Sequence, residues 1–430
     1  MTTARRLRPM QGRDPHEPHR AATPLELLFD LTFVIAFGVA AAQFAHALAE
    51  EHIAGGLMAF AFATFAISWA WINFSWFASA YDTDDWVYRL STMVQMVGVL
   101  ILALGLPQMF ASIDHGGHLD NRLVVAGYVV MRVALVGQWL RAARQDPLRR
   151  RACRAYAAAV ATAQVGWIAS IFIDTSVAVS LLIAAVLVCV EMLGPYLGER
   201  RMGGTPWHAH HIAERYGLLA IIALGEGVVG TVASLSAVVG AQGWSADAVL
   251  IVMAGTALTF GMWWVYFAVP FGELLHSRRD RSFSFGYLHI LVFGAIVATG
   301  AGLHAAAYYI EHHSELGATG TVLSVAVPVG LYVLLIAVVQ ALLGAPAART
   351  TLVAAALTAV VAAISAVTAA AGTPMTWSLL ITAAAPVVMV LAGEWSARRF
   401  VPGGGRVVPQ NTGRTDSRPG VHDAEDHQER

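Results

Sequence analysis

The chain has 430 residues, of which 57% are hydrophobic and only 13% charged. A soluble domain carries about 25% charged residues, and one soluble core has no use for so much apolar surface, so the composition points to a bilayer as solvent. A formal net charge of −1 leaves no electrostatic footprint for nucleic acid.

Residues 1–22 are polar, contain several Arg and Pro, and are expected to form a disordered cytoplasmic segment. Crossing a hydrocarbon layer of ~30 Å takes roughly 20 apolar residues in a helix. Spans are therefore expected at about 24–48, 54–80, 87–111, 122–144, 153–173 and 175–193. Six more are expected at about 209–239, 245–270, 284–310, 319–343, 348–371 and 376–397. Residues 401–430 return to Gly, Pro and charge and read as a disordered cytoplasmic tail. The first span is longer than the apolar core of a signal peptide and carries Glu26 and Asp30, so it reads as a retained helix. The fold class expected is an all-α polytopic membrane protein of about twelve transmembrane helices.

All 27 basic residues are arginine. They collect before the first span and in every second loop: Arg89, the run Arg141–Arg154, Arg200 and Arg201, Arg278–Arg281, and Arg349. Arg398 and Arg399 follow the last span, and the alternate loops hold only Arg122. Basic residues stay on the cytoplasmic side, so both termini are assigned there. Cys153 and Cys189 fall in separate spans and form no disulfide framework.

The order of features also repeats. Glu26 and the run after it align with Glu214 and the run after it, 188 residues later. The aromatic cluster Trp69, Trp71, Phe74, Trp76, Phe77 has a counterpart in Trp263, Trp264, Tyr266, Phe267. An even number of spans per copy gives parallel repeats about an axis along the membrane normal. Residues 23–200 and 201–400 are thus expected to form two parallel six-helix halves.

Ionisable side chains near the centre of a membrane helix cost at least ~2.5 kcal/mol each on insertion scales, so they mark where function is to be sought. Glu26 and Asp30 are four apart and share a helix face. They read either as a proton or cation site or as acids favoured by the helix N-terminal dipole. In the second half, His208-Ala-His210-His211-Ile-Ala-Glu214-Arg215 opens a helix. Either His210 or His211 has ligand-like spacing to Glu214, but no matching carboxylate–histidine pair stands elsewhere, so no metal is expected. Glu214 and Arg215 point about 100° apart and need partners on other helices, with Asp30 the electrostatic choice for Arg215. Glu226 lies twelve residues beyond Glu214, or about 18 Å by helical rise, which places it near the midplane. Gly225 and Gly227 flank it and permit close packing or a break. Arg132 lies mid-span and needs an acid, for which Glu226 or Asp30 is available. Glu191 and Glu394, near cytoplasmic ends, are expected to pair with Arg200, Arg201, Arg398 or Arg399. The tryptophan runs read as packing and interfacial belt. No phosphate-cradling Gly loop, Ser-His-Asp order or zinc-protease motif is present, and no cofactor is assigned.

Two segments carry a family resemblance. Leu25-Glu26-Leu27-Leu28-Phe29-Asp30-Leu31-Thr32-Phe33-Val34 resembles the N-terminal signature of the bacterial low temperature requirement protein A family. The run from His211 through Glu214-Arg215-Tyr216-Gly217 to Gly225-Glu226 is similar to that family's second signature. The likeness spans about 24–397, with Leu28 standing where the family usually has Phe. It implies a multi-pass protein of the bacterial cytoplasmic (inner) membrane. It marks Glu26, Asp30, Glu214, Arg215 and Glu226 as functional positions and names no substrate.

These features favour a proton- or ion-coupled secondary transporter of a small substrate, with Glu26, Asp30, Arg132, Glu214, Arg215 and Glu226 as its site. No ATPase motif is present, so a gradient would supply the drive. One rival reading is an intramembrane enzyme or cofactor-binding protein acting on a lipid-like substrate, with Glu26, Asp30, His211 and Glu214 gathered at one interface. Another is a non-transporting membrane sensor whose charges pair in a dry core.

Overall fold

Helix boundaries follow from capping chemistry and from where the apolar runs stop. A computed structural model describes residues 7–17, 20–116, 118–173, 175–346 and 348–400, and every regular element among them is a helix. α1 (Pro24–Ala49) starts at Thr23, whose hydroxyl accepts from the Glu26 N–H while the Glu26 carboxylate accepts from the Thr23 N–H. α2 (Ile53–Tyr81) runs back, and α3 (Trp86–His115) is capped by Asp85 and stopped by Gly116 at φ +71°. α4 (Arg122–Gln145), α5 (Arg150–Ile171) and α6 (Val177–Arg201) follow. α7 (Ala209–Gln242) opens the second set, with α8 (Ala246–Phe267) and the short α9 (Phe271–Ser277). Then come α10 (Ser282–Ile310), α11 (Ala318–Leu342) and α12 (Ala348–Ala370). The last expected span is broken: α13 (Met375–Ala383) and α14 (Ala385–Phe400) meet at Ala384. Pro386, with no N–H, cannot continue the hydrogen-bond ladder across that joint.

Eleven of these segments are long and apolar enough to cross a membrane. α5 is not among them by composition, since Arg150, Arg151 and Arg154 fill its first turns. Its 22 residues still span about 33 Å. In the first set α1 packs on α2 and α3, α3 on α4, α4 on α5, and α5 on α6. In the second, α7 packs on α8 and α10, α10 on α11, α11 on α12, and α12 on α14. The two sets meet where α1 touches α7 and α10 and where α2 touches α10. α10 is the most enclosed helix, and α6 and α12 are the most open.

The described residues of the N-terminal segment, 7–17 and 20–22, depart from the expected disorder. Met10 is completely buried. The N–H groups of Met10 and Gly12 donate to Gln145 Oε1 (2.6 Å) and Asp146 Oδ2 (3.2 Å). The Arg13 N–H reaches the Ala80 carbonyl at 3.0 Å, and Arg20 Nη2 reaches the Ala78 carbonyl at 2.9 Å. The last carbonyls of a helix have no partner within it, and this segment supplies partners to the end of α2. Arg141 pairs with Asp85, whose carboxylate also takes the Arg8 N–H at 3.2 Å. The segment thereby lies across the arginine-rich end of the bundle. The tail expected at 401–430 lies outside the described residues, as does any pairing of Glu394 with Arg398 or Arg399.

Asp82, just past the end of α2, has a largely buried side chain. Burial and the nearby Glu26 push its carboxyl up to about 6, against a weaker pull from Arg20 at 4.0 Å. The folded chain therefore keeps this proton up to about pH 6, whereas an unfolded chain loses it near 3.8, so stability falls as the pH rises between those values. Asp82→Asn keeps an acceptor for the Asp84 N–H. It is expected to raise the thermal midpoint of the detergent-solubilised protein by about 3 °C at about pH 7.5 and to leave it unchanged near pH 4. Differential scanning fluorimetry at both pH values checks this.

Candidate functional site

α1 and α7 pack together at the arginine-rich end, and their first two turns carry the charges. Glu26 and Asp30 occupy successive turns of α1; His211 and Arg215 do the same on α7. All four side chains are completely buried. Arg215 is the hub, with Nη1 2.9 Å from Glu26 Oε1 and Nη2 2.5 Å from Asp30 Oδ1. His211 Nε2 lies 3.2 Å from Glu26 Oε1. Trp71 Nε1 donates to Asp30 Oδ1 at 2.6 Å, and the guanidinium lies 5.5 Å from the Trp71 ring and 5.9 Å from that of Phe74. Glu26 Oε2 also accepts the Thr23 N–H at 2.7 Å, so one carboxylate is a helix cap and an ion-pair partner at once.

The fixed charges are two carboxylates against one guanidinium. One proton, on His211 or on a carboxylate, brings the cluster to neutrality. Asp30 Oδ2, His211 Nδ1, Arg215 Nε and the Tyr88 hydroxyl are buried with no hydrogen-bond partner among the described residues. The network is therefore polar but not saturated, a condition that marks functional or strained places more often than inert core.

Other expected site residues fall elsewhere. Glu214 is exposed and takes no part in the cluster, although Glu26, its expected counterpart 188 residues earlier, is buried. His210 is also exposed, with its ring 5.4 Å from that of His276, so it does not share a focus with His211. No group of three or more metal-binding side chains occurs among the described residues.

Arg132 finds its acid on α6, not at Asp30 or Glu226. Its Nη2 is 3.5 Å from Glu191 Oε2, and the Tyr128 hydroxyl bridges the pair with hydrogen bonds of 2.5 Å on each side. Glu191 also accepts from Trp167 Nε1 at 2.8 Å and Gln164 Nε2 at 3.3 Å. It therefore faces inward to α4 and α5, whereas Arg200 donates to the Asp280 carbonyl at 2.9 Å. α5 packs on both α4 and α6, and side chains from all three helices meet at the Glu191 carboxylate.

Glu226 stands at the midpoint of α7, only 7% exposed, between α1 and α10. Two glycines admit it. A Cβ on Gly300 would sit 2.7 Å from the Glu226 Cβ, and one on Gly38 would sit 3.2 Å from its Oε1. α7 runs unbroken through Gly225 and Gly227, so of the close packing or break that these glycines permit, the structure has no break, and Gly227 packs closely on Thr259. The Glu226 carboxyl has no ion pair or hydrogen bond among the described residues.

Sequence reasoning missed Trp71 and the Tyr128–Glu191–Trp167 group. The two tryptophan runs look alike in sequence. Yet Trp69 and Trp71 are 1% and 0% exposed, while Trp263 and Trp264 are 39% and 41% exposed, as belt residues are.

Removing Arg215 alone leaves Glu26 and Asp30 buried and unpaired, a loss of about 3–5 kcal/mol. Arg215→Met is expected to abolish the monodisperse peak in size-exclusion chromatography. Combining it with Glu26→Gln and Asp30→Asn is expected to restore that peak. A triple variant as unstable as the single one would refute the charge account.

A family model described as bacterial low temperature requirement A protein (LtrA) matches residues 21–391. An uncharacterised protein of Rhizobium meliloti (strain 1021), RA0937, is 25% identical over 307 residues, which cover 68% of this chain and 70% of that protein. No solved structure matches. With the match running from the start of α1 into α14 and enclosing both charged segments, the chain belongs to the bacterial low temperature requirement A family.

Proposed function

We propose that the protein is a proton-coupled secondary transporter of a small solute. The charge count of the α1–α7 cluster carries this reading. Glu26, Asp30 and Arg215 have no contact with solvent and sum to one negative charge. An uncompensated charge held in a membrane interior is costly. Binding of one proton is thus linked to whether the α1–α7 interface is closed or open. Glu226, eleven residues past Arg215 and about 16 Å deeper by helical rise, offers a third carboxyl on the same helix pair. A proton passing between the cluster and Glu226 would cross about half of the ~30 Å hydrocarbon layer.

Two parallel six-helix halves fit this mechanism, since each contributes one wall of the cluster. Helix spacing supports the division. Pro24 and Ala209, which begin α1 and α7, are 185 residues apart. Trp86 and Ser282, and likewise Arg122 and Ala318, are 196 apart. Glu26 with His211, and Asp30 with Arg215, are also separated by 185 residues. On this reading acid meets base at equivalent positions across the axis, and the working register is 185 rather than 188. The arginines at the α1 end support a cytoplasmic location for both termini in the cytoplasmic membrane.

A second reading, a sensor or clamp, draws support from the complete burial of all four cluster residues. Vesicles reconstituted with the full chain and loaded with a pH-sensitive dye separate the two. Solute-driven proton flux is expected in the wild type, lowered at least tenfold in Asp30→Asn and in Glu226→Gln. Flux unchanged in both folded variants, or absent in the wild type across amino acids, sugars, organic acids and amines, sinks the transport reading and leaves the clamp.

A further inference from the structure

The ends of α4, α5 and α6 and the loops beside them line a partly open cavity at the arginine-poor end that the transport reading does not use. Its volume is about 450 Å³, room for a small solute rather than a few waters. Polar groups on its walls come from His118, Asn121, Arg122, Ser170, Thr175 and Ser180.

Three features give the cavity a chemical preference. Arg122 makes no ion pair among the described residues, and it is the one arginine at this end of the bundle among them. Asn121 is only 6% exposed and lines the cavity, yet its side chain makes no cap hydrogen bond to α4 and no other hydrogen bond among the described residues. These two residues stand at the start of α4, where backbone N–H groups lack helical partners. Asp120 Oδ1 approaches the Arg122 N–H at 3.5 Å. A cation and a buried amide thus line one cavity, beside the Ser170 hydroxyl, which donates to the Trp167 carbonyl, and the Thr175 and Ser180 hydroxyls, which bond to each other at 3.0 Å. The guanidinium and the amide N–H groups are donors suited to an oxyanion.

We propose that this cavity binds the carboxylate or phosphate group of a small anion, either a free solute or a lipid headgroup. Trp167 forms the inner wall and donates to Glu191, so an occupant lies one side chain from the buried Arg132–Glu191 pair.

The test uses the full chain purified in an uncharged, phosphate-free detergent. Calorimetric and thermal-shift titrations are run with inorganic phosphate, acetate and dihexanoyl phosphatidylglycerol. Saturable binding of at least one is expected, weakened at least tenfold by Arg122→Ala and by Asn121→Ala and partly restored by Arg122→Lys. Binding of phosphate or acetate assigns a soluble anion; binding of the phosphatidylglycerol alone assigns a headgroup. Arg122 is exposed and unpaired, so its variants are expected to keep the wild-type midpoint without ligand. No saturable binding of any of the three, or binding indifferent to both substitutions, overturns the proposal.

Discussion

Two carboxylates one helical turn apart cannot stay ionised together in a low-dielectric interior without a cation between them. Arg215 meets that need from the neighbouring helix, and much of the architecture follows. A guanidinium reaching both Glu26 and Asp30 fixes the rotation of α1 and α7 about their own axes. Glu226, eleven residues on and so about three turns along α7, then falls on the same face as Arg215. Gly38, eight residues after Asp30, comes round to meet it. The close approach of α10 at Gly300 completes that seat. The ion pairs and the deeper carboxyl are therefore one geometric problem with one solution.

The same cluster explains why the N-terminal segment is held in place. Glu26 caps α1 through Thr23, so the chain just before it enters at a set angle. Arg20 then reaches the end of α2, while Met10 and Gly12 reach Gln145 and Asp146 at the end of α4. Trp71 and Phe74 set aromatic rings beside the guanidinium, while the N-terminal strap crosses the ends of α2 and α4.

Helix positions were readable because apolar runs and arginine loops carry them directly. The expected start of α1 at 24 and of α4 at 122, for example, are where the helices begin. Facing was harder to read. These helices are apolar on all sides, so periodicity does not say which side is buried. Glu214 and Arg215 are adjacent, and only the packing of α1 decides that Arg215 turns inward while Glu214 stays exposed. Asp30 as partner of Arg215 was legible because opposite charges at one depth have few choices. Glu191 as partner of Arg132 was not, because its nearness to Arg200 and Arg201 in the chain masked a contact made across helices. The strap was hidden for a related reason: polar composition reads as disorder unless the carbonyls it will satisfy are known.

α5 carries a consequence for how the protein is made. A translocon releases a helix sideways into lipid when its own residues favour lipid, and α5, with its arginine-laden first turns, is the segment that falls short. Its flanking helices are each handicapped as well, α4 by Arg132 and α6 by Glu191. The polar side chains at fault are those that bond to one another: Arg132, Tyr128, Gln164, Trp167 and Glu191. These three helices should therefore be retained at the translocon until all have emerged and then partition into the bilayer together as a preassembled hairpin pair. The ribosome would have to finish α6 before α4 is free to leave.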